Sequence, residues 1–263
     1  MLEKYIPGTY TIPELVLGEK AVLRNIKVEV FSDMPFPRNK PIVGFMGSAG
    51  KEPDINGHVF EPTPEIKVRG EMLGKIVAEE GGIASNGAVW GAPYYPVRGA
   101  HESGGFTMGV SPFPDKDAHT KSNPIKHLDL LIYLGIGCFI NPRADFTFRD
   151  WCNSIFPDVF FSEDGRWGTA NEVTQYIEIG GIYVPAKGSG GATDMITDAY
   201  KSKKIIKDTG AIFVIQDDSQ QGGLEYKLRE AMALAKQRWE EECRMQNRFS
   251  YVADELEKVM FTR

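Results

Sequence analysis

From residue 41 to about residue 216 the chain alternates short apolar runs with stretches of helical character, and most of the apolar runs close on small residues. "PIVGFMG", "GIASNG", "FTMGVSP", "LDLLIYLGIG", "PDVFFS", "GGIYVPAKG" and "AIFVIQD" read as strands. Between them, Thr63, Pro64 and Glu65 mark a helix start and Gly81 and Gly82 its end. Strands separated by helices predict an α/β fold: a Rossmann-like, doubly wound and mainly parallel sheet with helices on both faces. Residues 1–38 read as an irregular arm with one strand, "AVLRNIKVEVF", set off by Pro35 and Pro37. Residues 39–263 form the Rossmann-like nucleotide-binding domain. It ends in a long helix over about residues 222–246, with Leu224, Leu228, Ala231, Leu234 and Ala235 on one face.

In such a sheet ligands bind at the carboxyl ends of the strands. Here those ends carry "GFMGSAG", "SNGAVWGAP", "SEDGRWGT" and "AKGSGGATD". One glycine turn is an ordinary tight connection, but several at one sheet edge suggest a phosphate cradle. Glycine lets backbone amides approach an anion, and the following helix start adds partial positive charge. The candidate binding residues are Gly47, Ser48, Gly87, Gly91, Gly165, Arg166, Gly168, Thr169, Gly188 and Gly190. The common nucleotide fingerprints fail. "GEMLGKI" is one spacer short of a P-loop and lacks its Ser or Thr, and "GIGCFI" lacks the third glycine of the dinucleotide motif.

Composition narrows the partners. A net charge of −6 argues against a nucleic-acid or anionic-membrane partner and leaves a small-molecule nucleotide. The three cysteines, Cys138, Cys152 and Cys243, form no CxxC, and Cys152 reads as a buried structural thiol. His58, His101, His119 and His127 lack ligand spacing and read as surface or loop residues, so neither a metal nor a cofactor is expected. The N-terminus shows no apolar core of signal-peptide length, and no run of apolar residues is long enough to span a membrane; the cytoplasm is the expected location. Trp90, Trp167, Tyr94 and Tyr95 are open to stacking on a base or packing on a helix, and Asp194 to capping one.

The stretch "DGRWGTANE" admits two readings. Thr169 and Glu172 fit a capping box, in which Thr bonds the N3 amide and Glu reaches back to the cap. That leaves Arg149 unexplained. The segment "FRDWCNSIFPDVFFSEDGRWGTANE" resembles the signature of Lonely-guy-type phosphoribohydrolases, with Arg149, Asp158, Gly165, Gly168, Thr169 and Glu172 at matching offsets. "GSGGATDMI" is similar to the molybdenum-cofactor-carrier-like branch and to the nucleotide-sensing domain of TRPM-type channels. The resemblance implies hydrolysis of the N-glycosidic bond of a nucleoside 5′-monophosphate, with Arg149 and Glu172 catalytic, in a homodimer or higher homo-oligomer. It equally admits a non-catalytic carrier or sensor. Asp164 and Arg166 depart from the pattern, standing where it has proline and glycine.

Overall fold

The computed structural model describes residues 4–17, 21–50, 61–135, 143–202, 209–215, 223–242 and 246–261. Cys138, Cys243 and His58 lie outside them. The strands are β1 (Gly8–Leu17), β2 (Ala21–Val30), β3 (Ile42–Gly47), β4 (Ile83–Asn86), β5 (Phe106–Ser111), β6 (Leu130–Tyr133), β7 (Val159–Glu163), β8 (Ile182–Pro185) and β9 (Ile212–Phe213). They form a nine-stranded sheet in the order β1-β2-β6-β5-β4-β3-β7-β8-β9. All pairs from β6 through β9 are parallel, whereas β1–β2 and β2–β6 are antiparallel. The doubly wound, mainly parallel fold is therefore present. The N-terminal segment differs from an irregular arm with one strand: it supplies two paired strands that extend the sheet.

The helices are α1 (Pro64–Glu79), α2 (Tyr94–Glu102), α3 (Lys116–Thr120), α4 (Arg143–Ile155), α5 (Trp167–Glu178), α6 (Gly191–Lys201), α7 (Leu224–Glu241) and α8 (Ser250–Phe261). Alternation along the strands feeds two layers. Leu130 and Ile132 join Phe36, Phe156 and Leu256 on one side, while Leu131 and Tyr133 join Leu73, Val97 and Leu228 on the other. The apolar stripe of α7 is consumed here: Leu228 and Ala231 are fully buried against the chain's own sheet, so the stripe offers no face to a second copy. Nor does one long helix close the chain. It stops at Glu241, and α8 packs separately against β1 and the first layer.

Asp158, one of the residues at a matching offset, does structural work. Its carboxylate accepts from the Ile42 amide at 3.0 Å and from Trp239 Nε1 at 3.1 Å, tying the start of β3 to α7. Asp158→Ala removes the acceptor of two buried donors and is expected to cost about 2–4 kcal/mol in urea unfolding. A loss below about 0.5 kcal/mol, ordinary for a surface site, would contradict this.

Candidate functional site

The strand order reverses at β3, whose neighbours β4 and β7 lead to opposite halves of the sheet. The loops leaving β3 and β7 meet at this point. Ser48 Oγ donates to Asp164 Oδ2 at 2.6 Å, Thr169 Oγ1 to the Gly47 carbonyl at 3.2 Å, and Arg166 Nη2 to the Ala49 carbonyl at 2.9 Å. Gly165 has φ +99° and lies against Thr169, where an added Cβ would stand 2.5 Å from the Thr169 side chain. Gly91 pairs with Ala49 in an isolated antiparallel bridge. The starts of α5 and α6 lie together at this end, since Ala192 N donates to the Gly165 carbonyl at 2.9 Å.

The capping box does not form. The N-cap of α5 is Arg166, which makes no side-chain cap, so Thr169 is the third helical residue and its hydroxyl reaches across to β3. The Glu172 side chain turns away from the helix start towards α4. Gly188 and Gly190 serve a different acceptor from a ligand: their amides donate to Asp194 at 2.7 and 2.9 Å, so the Asp194 carboxylate fills that loop itself.

Behind the β7 loop, α4 and α5 enclose a charged cluster. Arg149 Nε donates to Asp150 Oδ1 at 3.0 Å, its Nη2 lies 2.9 Å from the same oxygen in an ion pair, and its Nη1 donates to the Gly87 carbonyl at 3.2 Å. Gly87 makes this approach possible, because a Cβ there would lie 2.4 Å from Arg149 Nη1. Asn153 Nδ2 donates to Glu172 Oε1 at 2.9 Å. Asp150, Asn153 and Glu172 are all buried. Burial, then the neighbouring Asp150 carboxylate, pushes the Glu172 carboxyl up from an ordinary 4.5 to about 8. Burial also raises Asp150, with the Arg149 guanidinium opposing it. Asn153 Oδ1 is buried without a hydrogen-bond partner.

Arg149 also lines a crevice of about 620 Å³, with Arg166, Lys121, Trp90, Phe113 and Phe146 in its wall, whereas Asp150, Asn153 and Glu172 do not line it. That volume suits a nucleotide-sized ligand. Trp90 lies on Tyr94, with ring centroids 4.8 Å apart, whereas Trp167 is 82% exposed beside a separate apolar cavity between α5 and α6. The expectation of surface histidines fails at His119, which is fully buried and bonded to Ser111 Oγ at 2.8 Å. Cys152 is buried as expected. Among the described residues no group of side chains is arranged to hold a metal, and no helix is long and apolar enough to cross a membrane.

The family model of the SLOG cluster4 family matches residues 40–213, from the first parallel strand to the last and through both glycine loops at the switch point. The chain belongs to the SLOG cluster4 family. With its fold, this makes it a nucleotide-related Rossmann-like protein. No curated protein sequence matches this SLOG chain. Solved structures confirm the fold. The structural-genomics target TM1055 is 23% identical, with 75% of this chain and 99% of that one covered and a TM-score of 0.55. The molybdenum cofactor binding protein from Rippkaea orientalis is 20% identical, with 74% and 96% covered and a TM-score of 0.50. DNA processing protein A from Helicobacter pylori is 13% identical, with 88% and 98% covered and a TM-score of 0.57. That last protein binds single-stranded DNA, which corrects the exclusion of nucleic acid drawn from net charge. Net charge sums over the whole surface, and a fold with cationic groups gathered at one edge is not described by the sum.

Sequence reasoning missed Asp150 and Asn153. Both lie in "RDWCN" with Arg149, and their spacing puts the three on neighbouring positions of one helix face. That polar cluster, on a helix otherwise carrying buried Cys152 and Ser154, was the available signal.

Proposed function

We propose that this SLOG protein binds a nucleoside 5′-monophosphate in the crevice and hydrolyses its N-glycosidic bond. The observation that carries the reading is Arg149, which lines the nucleotide-sized crevice and pairs with buried Asp150 on the helix whose Asn153 holds buried Glu172. The phosphate lies at the start of α5, where helix amides and Arg166 supply positive charge. Trp90 stacks on the base. Glu172, protonated at neutral pH, gives its proton to the base as the C1′–N electron pair departs with it. Water then bonds to C1′ and returns a proton to Glu172. The products are free base and ribose or deoxyribose 5-phosphate.

A second reading, retention of a phosphorylated ligand without cleavage, is favoured by one observation: Glu172 is only 5% exposed. Both readings require the phosphate site. Arg166→Ala is expected to weaken nucleoside monophosphate binding about tenfold, as loss of one charge-assisted contact does, and to leave binding of the phosphate-free nucleoside unchanged. Calorimetric titration of both ligands tests this. Equal losses for the two, or none, would remove Arg166 from the phosphate site. Release of base from a nucleotide panel separates hydrolysis from retention.

A further inference from the structure

We infer that the apolar cavity between α5 and α6 holds a second nucleobase, so that the full ligand of this site is a dinucleotide with its phosphate on Arg166 between two bases. The inference rests on the reading that the crevice takes a nucleoside through its 5′-phosphate. The cavity measures about 380 Å³, near the lower end of ligand pockets, which suits one base with its sugar. Small residues, Ala170, Gly191 and Ala192, line it together with two large ones, Trp167 and Met195. Both large side chains are exposed, Trp167 at 82% and Met195 at 51%, although tryptophan is ordinarily well buried. An indole and a thioether beside open apolar space form a site for a flat ring, which stacks on the one and meets the sulfur of the other. The two helix starts that carry them are fixed to each other. Ala192 N donates to the Gly165 carbonyl at 2.9 Å, and Thr193 donates to the Asp164 carbonyl from N at 3.0 Å and from Oγ1 at 2.7 Å. Arg166 decides the occupant. It lines this cavity and the 620 Å³ crevice alike, and each of the two has a tryptophan in its wall. A cation shared by two such cavities matches a phosphodiester, whose charge meets the guanidinium while its two ester oxygens lead to two sugars. A nucleoside monophosphate fills only the crevice side and leaves Trp167 bare.

Calorimetric titration with dinucleoside monophosphates, two nucleosides joined 3′ to 5′ through one phosphate, tests this. The control ligand is the nucleoside 5′-methylphosphate, which has the same charge and no second base. Wild type is expected to bind at least one dinucleoside monophosphate about tenfold tighter than the matching methyl ester, the usual effect of one stacked base. Trp167→Ala changes an exposed residue at a helix start, where such a substitution has little effect on folding. It is expected to abolish that difference and leave the methyl ester's affinity unchanged, and Trp167→Phe to restore part of it. Sedimentation is expected to give the same oligomeric state for wild type and Trp167→Ala. Equal affinity for the two ligands in wild type, binding of neither, or an equal loss of both in Trp167→Ala overturns the second base site. A changed oligomeric state in the variant also overturns it, because a second copy of the chain then covers the cavity. Base release plays no part in these titrations. Dinucleotide binding that depends on Trp167 upholds the inference even where no base is released, whereas methyl-ester binding with no gain from a second base overturns it and leaves the nucleoside 5′-monophosphate reading standing.

Discussion

Glu172→Gln is expected to flatten the pH dependence of stability between about pH 4.5 and pH 8. Glu172 is raised from 4.5 to about 8 in the folded protein, with burial the first cause and Asp150 the second. Between those values the unfolded chain has lost the proton and the folded chain still binds it. Stability therefore falls as pH rises through this window, by at most about 1.4 kcal/mol for each pH unit crossed. The contribution of the protonated carboxyl is complete below 4.5 and gone once pH passes about 8. Gln keeps the shape and the acceptor for Asn153 but carries no titrating proton. Urea unfolding across the range is expected to give a sloping curve for wild type and a flatter one for the variant. Parallel curves would show that Glu172 is ionised in the folded protein throughout.

Arg149→Ala is expected to be the most damaging single change in the cluster. It leaves Asp150 buried without its cation, and breaking a buried pair from one side costs about 3–5 kcal/mol. Turnover falls about as far as in Glu172→Gln, and the double variant falls little further, because groups acting as one unit are not additive. Arg149→Lys keeps the charge but not the fork that reaches Asp150 and Gly87 together, so it recovers only part of the stability. Urea midpoints and base release for the three variants check this. An Arg149→Ala protein as stable as wild type would mean that Asp150 is already neutral in the folded state.

The parallel half of the sheet was legible because its strands and helices alternate with glycine punctuation, and that pattern is local. The hairpin of β1 and β2 was not. Pro13 falls on the outermost strand, where a missing amide costs no ladder bond, so the strand runs through it. The stop of α7 was equally hidden, since "RMQNRF" carries neither glycine nor proline. Asn247 instead donates to the carbonyls of Pro37 and Lys40, both at 2.9 Å, contacts made across most of the chain. The site shows the same division. Arg149, Glu172 and the Gly165–Thr169 loop were singled out by the family resemblance rather than by any local pattern. The capping box was a correct local pattern overridden by tertiary partners: Gly47 for Thr169, and Asn153 for Glu172. Asp150 stayed invisible because its meaning depends on α4 lying against α5, which no local pattern records.

The most direct measurement of the central claim is chromatographic detection of free base after wild type and Glu172→Gln are each incubated with a panel of nucleoside 5′-monophosphates. Binding is measured in parallel by thermal shift, since a ligand that favours the native state raises its melting temperature. The account predicts that wild type releases base from at least one nucleotide. It predicts that the variant binds that nucleotide as well but releases base about 10²–10⁴ times more slowly, the usual cost of a lost acid. Binding without release by wild type, or undiminished release by Glu172→Gln, would contradict it.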